Sequence, residues 1–424
     1  MRFIALAVAT VWLCAPDAVR AELRGHGGPV RAVAVSVDGR SAISGSFDQS
    51  IIVWSLETGA ATQVLRQHEG AVNAVVALPD GRFATGGEDG RVALWRPGRT
   101  EPERVIEGHQ GPVAGLAVSP DGSLLVSASW DGTARVIPTG SGDGRVLDGH
   151  HGNVNAAAFL PDGRIVTASY DNTLRFWPSD NRQSAVVTLP SPLNAVVAAQ
   201  DGEIIVAGAD GVMRILDSSG VQRAEVEIAT TPVIALALSP DGNRIAAASI
   251  GGAVAVLDRS SAKVQFHLVG PGLPIWSLAF APDGLQLLTG GSDRVVRRWN
   301  MITGEHVGPI VIARPEDPLV RFQGERGAQV FQACAACHTL TQDGGNRAGP
   351  TLHGLFGRRI GTANGYNFSD ALRRLDIIWT PETVAKLFEI GPSRYTPGTK
   401  MPEQIIASAE DRDALVRFLQ RATR

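Results

Sequence analysis

A repetitive all-β region of small sheets, followed by a compact helical domain, is the fold this sequence predicts. Three observations predict it: an Asp-Gly pair that recurs every 39–42 residues, the loss of that period near residue 323, and a helical texture from there to the end. At 424 residues the chain has room for two to four domains. Its 48 glycines against 4 methionines and 3 cysteines favour a turn-rich β protein over a helical or disulfide-stapled one. With 44% apolar and 19% charged residues it is too apolar for a disordered chain. A net charge of −3 and a pI near 6.3 supply no overall basic footprint, which argues against nucleic-acid binding as its main task.

The chain opens with Arg2 and an apolar stretch from Phe3 to Ala15, then Val19-Arg20-Ala21, whose small residues fit a signal-peptidase cut after Ala21. Thirteen apolar residues fall short of the ~20 that span a bilayer, so the expectation is an exported protein with residues 1–21 removed and no membrane span afterwards. Cys14 follows Leu13 rather than Gly or Ala, so it does not fit lipid attachment. Its loss with the leader leaves Cys334 and Cys337, three positions apart, which excludes a disulfide framework across the fold.

The Asp-Gly turns begin at Asp38, Asp80, Asp121, Asp162, Asp201, Asp241 and Asp283. Each joins two short β-branched or alanine-rich runs, as in VRAVAVSVDGRSAISGS, which alternate as neighbouring antiparallel strands do. In a second register Asp48, Asp89, Asp131, Asp171, Asp210 and Asp293 each stand six residues before Trp54, Trp95, Ile137, Trp177, Leu216 and Trp299, while Gly251 replaces the aspartate in unit six. Four units also carry a histidine, His26, His68, His109 and His150, 21 or 22 residues before the aspartate. Here the chain resembles the WD-repeat family. The resemblance implies a seven-bladed β-propeller over residues 22–312 and, inside each blade, a hydrogen-bonded network of the type His26, Ser44, Asp48 and Trp54, or His68, Thr85, Asp89 and Trp95. His-Asp pairs that recur once per repeat satisfy buried polar groups rather than forming metal sites or catalytic dyads, because no unit adds a nucleophile or a third ligand. Whether the last blade closes with a strand from Ala21–Leu23 or from Val307–Ile312 is open at this level. The residue before each network aspartate, Phe47, Glu88, Trp130, Tyr170, Ala209, Ile250 and Ser292, matches the position lining the top face of such propellers. Its aromatics, Phe47, Trp130 and Tyr170, either anchor a partner or pack on neighbouring blades.

Beyond a linker at 313–323, residues 324–424 hold Cys334-Ala335-Ala336-Cys337-His338, the arrangement in which two thiols add to the vinyl groups of haem and the adjacent imidazole reaches the iron. A zinc half-site would need a second cysteine pair, which the chain lacks. A single covalent haem is therefore expected, with His338 as one axial ligand. Met401, the sole methionine after the motif, stands in YTPGTKMP, where Pro397 and Gly398 make a rigid loop, and is assigned as the second; His353 is the rival. A thioether favours ferrous iron and suits an electron carrier more than an oxygen activator.

This segment resembles the monohaem class I cytochromes c in Gly327, Phe331, the haem motif, GPTLHGLFGRR, GYNFSDAL, Trp379, YTPGTKMP and the final helix with Leu415 and Phe418. The full fold class expected is thus an all-β seven-bladed propeller plus a small all-α cytochrome c domain. The resemblance implies that Gly327 and Phe331 pack on the last helix, that Pro350 braces His338, and that Arg358, Trp379 and Thr399 surround a haem propionate. Three departures make the shell more apolar: Phe368 and Leu387 or Phe388 stand where the family often has tyrosine, and Leu372 replaces a polar residue. From Arg321 onward there are 14 Lys and Arg against 10 Asp and Glu, a net +4 beside −7 for residues 1–320. The family's basic rim around the haem edge maps to Arg347, Arg359, Lys386, Arg394 and Lys400.

The reading that follows is an exported, periplasmic one-electron carrier, more a carrier than an enzyme, whose propeller docks redox partner proteins. Two rivals accompany it: a periplasmic oxidoreductase whose propeller binds a substrate or second cofactor and feeds electrons to the haem, and a haem-bearing sensor or scaffold.

Overall fold

The computed structural model describes residues 22–307 apart from 143, 180–184 and 271, and residues 319–424 apart from 323, 332–333, 337, 343–348, 365, 367, 369, 398, 400 and 402–404. The proposed leader, Cys337, Arg347 and Lys400 lie outside the described residues.

Among the described residues, seven four-stranded antiparallel sheets follow one another, six of them built from consecutive strands. Blade 1 runs through Val30–Val35, Ser41–Ser46, Ile51–Ser55 and Ala61–Leu65, and blades 2 to 7 repeat it up to Val295–Asn300. The Asp-Gly pairs occupy the hairpin between the first two strands of every blade. Gly39, Gly81, Gly122, Gly163, Gly202, Gly242 and Gly284 all have φ between 69° and 90°, a region that costs glycine nothing. The preceding aspartate accepts the backbone N–H two residues on, as from Arg40 to Asp38 at 3.0 Å and from Leu285 to Asp283 at 2.9 Å. The period in the sequence is therefore the period of a turn whose conformation admits few other residue pairs.

Blade 7 closes with the N-terminal candidate as its fourth strand; of the other candidate, Val307–Ile312, only Val307 is among the described residues. Strand Glu22–Arg24 pairs with Val295–Arg297. Farther along the same edge, His306 bridges Trp299 and the Val307 N–H reaches the Arg298 carbonyl at 3.0 Å. Leu23 is 1% exposed, packed in one apolar cluster with Val30, Trp54 and Val296, so the N-terminal strand seals blades 7 and 1 against each other. Glu22 also pairs with Arg297 at 3.3 Å.

The buried networks form where the repeat is complete. In blade 1, His26 Nε2 lies 2.7 Å from Ser44 Oγ, Trp54 Nε1 donates to the same hydroxyl at 2.7 Å, and His26 Nδ1 faces Asp48 at 3.3 Å. Blades 2 and 4 repeat this through His68, Thr85, Asp89 and Trp95 and through His150, Thr167, Asp171 and Trp177. Blade 3 keeps His109, Ser127 and Asp131 without the tryptophan. Blades 5 and 7 lack the histidine, and an arginine takes its place: Arg214 donates to Asp210 at 2.6 Å and Arg297 pairs with Asp293. The signal was present in the sequence, because arginine recurs four residues after the aspartate as Arg135, Arg175, Arg214 and Arg297. Among the described residues, no group of three His, Cys, Asp or Glu side chains could hold a metal ion.

These networks make the propeller acid-sensitive. Burial lowers the His109 and His150 imidazoles below their ordinary value, although Asp131 and Asp171 pull the other way. Burial pushes Asp131 up, but the Thr133 hydroxyl, the Gln110 N–H and His109 outweigh it and hold the carboxyl at about 2. Every one of these groups binds a proton less readily in the fold than in the unfolded chain, so the unfolded chain gains protons first as the pH falls. Their stabilisation is complete above about pH 6.5, declines below it as unfolded histidines charge, and falls again below about pH 4. Urea midpoints of the propeller across pH 3–8 are expected to trace this two-stage loss; a midpoint constant down to pH 3 contradicts it.

After the ring, α1 (Arg326–Phe331), α2 (Asp370–Arg374), α3 (Pro381–Ile390), α4 (Pro392–Tyr395) and α5 (Ala409–Ala422) build the second domain. Helix α3 starts at a Thr380–Thr383 capping box with Pro381 in the first turn, and α5 starts at Ser408, whose hydroxyl accepts from the Asp411 N–H. Leu415, Phe418 and Leu419 of α5 are at most 3% exposed. Phe331 of α1 packs at a tilt against Phe418 with ring centroids 5.4 Å apart, and a Cβ on Gly327 would stand 2.2 Å from the Ala414 carbonyl oxygen. The two helices cross in contact because residue 327 has no side chain. No helix among the described residues is long and apolar enough to cross a membrane.

Candidate haem site

The helices of the second domain leave a largely apolar cleft of about 1320 Å³, counting the space at its mouth. Phe331, Leu352, Leu355, Phe368, Leu372, Leu387, Phe388, Leu415 and Leu419 supply most of its wall. Cys334, His338 and Met401 also line it, so three of the four residues expected at the iron and the thioether bonds share one cavity.

His338 is set rather than left to rotate. Its Nδ1 lies 2.7 Å from the Pro350 carbonyl oxygen, which can only accept; Nδ1 therefore carries the hydrogen and Nε2 keeps the lone pair a metal needs. Gly349 packs against the ring so closely that a Cβ there would sit 2.3 Å from His338 Cε1. The Gly-Pro step thus does two jobs, admitting the imidazole and fixing its tautomer. Cys334, in a single 3-10 turn with Ala335 and Ala336, is 7% exposed, and the His338 N–H closes that turn onto the Cys334 carbonyl at 3.0 Å.

On the other side, Met401 belongs to a loop held from within. Thr396 donates to the Pro392 carbonyl at 2.8 Å, the Thr399 N–H reaches the Thr396 carbonyl at 3.0 Å, and the Met401 N–H reaches Thr399 Oγ1 at 3.1 Å. Arg358 lines the cleft while two of its nitrogens donate to the His353 and Thr351 carbonyls at 3.0 and 2.8 Å. Burial lowers its pKa. Trp379 lines the cleft too, tied by backbone bonds to Gly357 and Arg358 at 2.8 and 3.0 Å. His353, the rival ligand, borders a separate hollow beside Arg321 and Arg421. The residues present fit haem: an apolar slot, an imidazole held in the ligating tautomer by a glycine cradle, a soft thioether, and guanidinium and hydroxyl groups for carboxylates.

Of the expected basic rim, Arg359, Lys386 and Arg394 are exposed, and Arg359 lies 3.7 Å from Asp376. On the propeller, Phe47, Trp130 and Tyr170 are 47%, 43% and 53% exposed. Two of them also lean on neighbouring blades, since Phe47 meets Trp276 at 6.3 Å and Trp130 donates to Asn155 at 2.9 Å. Phe47 and Trp130 thus follow the packing alternative in part while keeping exposed surface. Sequence reasoning missed Tyr366 and Arg66 as residues of the cleft. Tyr366 stood two places before a residue already singled out; Arg66 carried no signal, because it comes from the propeller.

Fold and site together define a repeat propeller joined to a small haem-protein domain. The family model described as WD domain, G-beta repeat matches residues 18–55, 59–96, 100–137, 141–178 and 262–300, and the cytochrome c model matches 324–423. Cytochrome c of Gibberella zeae is 42% identical over 101 residues, covering 24% of this chain and 94% of that protein; cytochrome c of Arabidopsis thaliana is 41% identical over 108 residues, covering 25% and 96%. The crystal structure of the WD40 β-propeller domain of Doa1 is similar to 66% of this chain and 94% of its own, with 26% identity and a TM-score of 0.60. The chain belongs, through its C-terminal domain, to the cytochrome c family, and carries that domain behind WD repeats.

Proposed function

We propose that this protein is an exported c-type cytochrome that passes one electron at a time, with the propeller as its docking platform for redox partner proteins. The observation that carries the reading is the fixed imidazole of His338 in the same apolar cleft as Met401 and Cys334. Haem supplies a one-electron Fe(III)/Fe(II) couple when bound. His338 and Met401 would hold its iron, and Cys334 and Cys337 would carry it through two thioether bonds, one haem to a chain. The side chains do the rest of the work: Pro350 and Gly349 hold the imidazole in place, the Thr396–Thr399 loop presents the thioether, and the apolar wall excludes water. Arg358, Trp379 and Thr399 serve the propionates. An iron held by both side chains would offer a substrate no open position, which favours a carrier over an oxygen-activating enzyme.

Export follows from the leader-like residues 1–21 and from the haem attachment chemistry, and the periplasm is the compartment proposed. A cut after Ala21 leaves Glu22 and Leu23 at the start of the strand that closes blade 7. Partners are proposed to meet the face bearing Phe47, Trp130 and Tyr170 and the basic rim of the haem domain.

The test is the oxidised and reduced visible spectrum of periplasmically expressed protein beside Met401→Ala. One covalent haem per chain by pyridine haemochrome, and a weak sulfur-to-iron charge-transfer band that vanishes in the variant, are expected. The ferrous variant is expected to bind carbon monoxide, which the wild type resists. A wild type that lacks the band and takes up carbon monoxide readily overturns the ligation and the carrier role with it.

A further inference from the structure

The haem cleft is not walled by the helical domain alone. Arg66, directly after the last strand of blade 1 (Ala61–Leu65), lines it. It is 9% exposed, and its guanidinium carbon stands 5.9 Å from the centroid of Tyr366, a residue of the cleft. Its charge also helps hold the Asp48 carboxyl of the blade 1 network low. Arg66 is therefore a buried propeller residue at the wall of the haem site.

The chemistry of the cleft indicates what such a group does there. Haem is apolar except for its iron and two peripheral carboxylates. Two arginines of the helical domain, Arg358 and Arg359, line the cleft as well, so the carboxylate end of a haem would meet a cationic surface there. A buried guanidinium is the side chain best suited to a carboxylate, through paired charge-assisted hydrogen bonds. A fixed positive charge beside the haem also favours the ferrous form, which carries one positive charge fewer than the ferric.

We propose that Arg66 is a haem residue contributed by the propeller, receiving a haem carboxylate and raising the reduction potential. This rests on the haem reading above and extends it, because it makes the propeller a determinant of the potential as well as a platform. The WD repeats and the cytochrome domain are then one functional unit.

The experiment is a redox titration of full-length, haem-loaded protein as wild type, Arg66→Gln, Arg66→Lys and Arg223→Gln, the last an exposed arginine of blade 5 serving as control. Arg66→Gln is expected to lower the reduction equilibrium constant three- to tenfold, up to about 59 mV for one electron. Arg66→Lys should recover most of it, and Arg223→Gln should lie within twofold of wild type. A haem-loaded Arg66→Gln protein within twofold of wild type overturns the proposal and leaves the carrier reading standing. Wild type that holds no covalent haem sinks both. Should Arg66→Gln fail to fold, resonance Raman of the haem propionate bending mode in Arg66→Lys decides: a shifted band supports the contact, and an unchanged one overturns it.

Discussion

His338→Ala is expected to abolish reversible electron transfer while leaving the propeller folded. The imidazole is fixed by the 2.7 Å bond from Nδ1 to the Pro350 carbonyl, and Cys334 lies in the turn directly before it. Removing the ring deletes the proposed proximal ligand outright. Gly349→Ala should produce a weaker form of the same defect, because the new Cβ would stand 2.3 Å from Cε1 and push the ring off its carbonyl. Loss of such a supporting contact costs about 10–100-fold in activity or metal affinity, and deletion of the ligand itself should exceed that. Rates of reduction by a small donor, with far-UV circular dichroism for the propeller, test both variants. Fast reduction of Gly349→Ala with an unaltered ligand-field spectrum would show that the cradle does not position His338.

Asp48→Ala is expected to have the largest effect on the propeller. The Asp48 side chain is 1% exposed and that of His26 is 0% exposed. Burial pushes Asp48 up, yet His26, Ser50 and Arg66 bring it far below the usual carboxylate range. The carboxylate also accepts from the Gly27 N–H, the Ser50 N–H and the Ser50 hydroxyl, so its removal leaves several buried donors with no acceptor. Breaking a buried pair of this kind costs about 3–5 kcal/mol, a fall in melting temperature of roughly 10 °C for a domain this size. Asp210→Ala in blade 5 is the comparison. Its side chain is 27% exposed and its partner Arg214 keeps Glu225 at 3.8 Å, outside any histidine network, so a smaller loss of about 1–3 kcal/mol is expected. Differential scanning calorimetry of the two variants measures the contrast, and equal shifts would mean that the histidine networks are not what stabilises the complete blades.

Much of this was legible in the chain because its strongest constraints are local. An Asp-Gly turn needs a positive φ at the glycine and a carboxylate two residues before an N–H, and both demands are met within four residues, seven times over. The haem motif is legible for the same reason: two thiols and an imidazole must come from one turn of chain. The helix packing at Gly327 and Phe331 was implied by resemblance, and the contacts with Ala414 and Phe418 give it a steric cause.

Other features depend on distance in space between residues far apart in sequence. Blade closure by Glu22–Arg24 together with His306 and Val307 depends on which edge of Val295–Asn300 is left over when the ring is complete. The sequence by itself determined the repeat, its turns, the domain order and the haem motif, because each is written in neighbouring residues whose backbone geometry admits few alternatives. Only the tertiary structure decided which imidazole nitrogen is held by Pro350, how blade 7 is sealed, and that Arg66, 300 residues from Tyr366, shares its cleft, because those outcomes follow from packing between surfaces that no local pattern encodes.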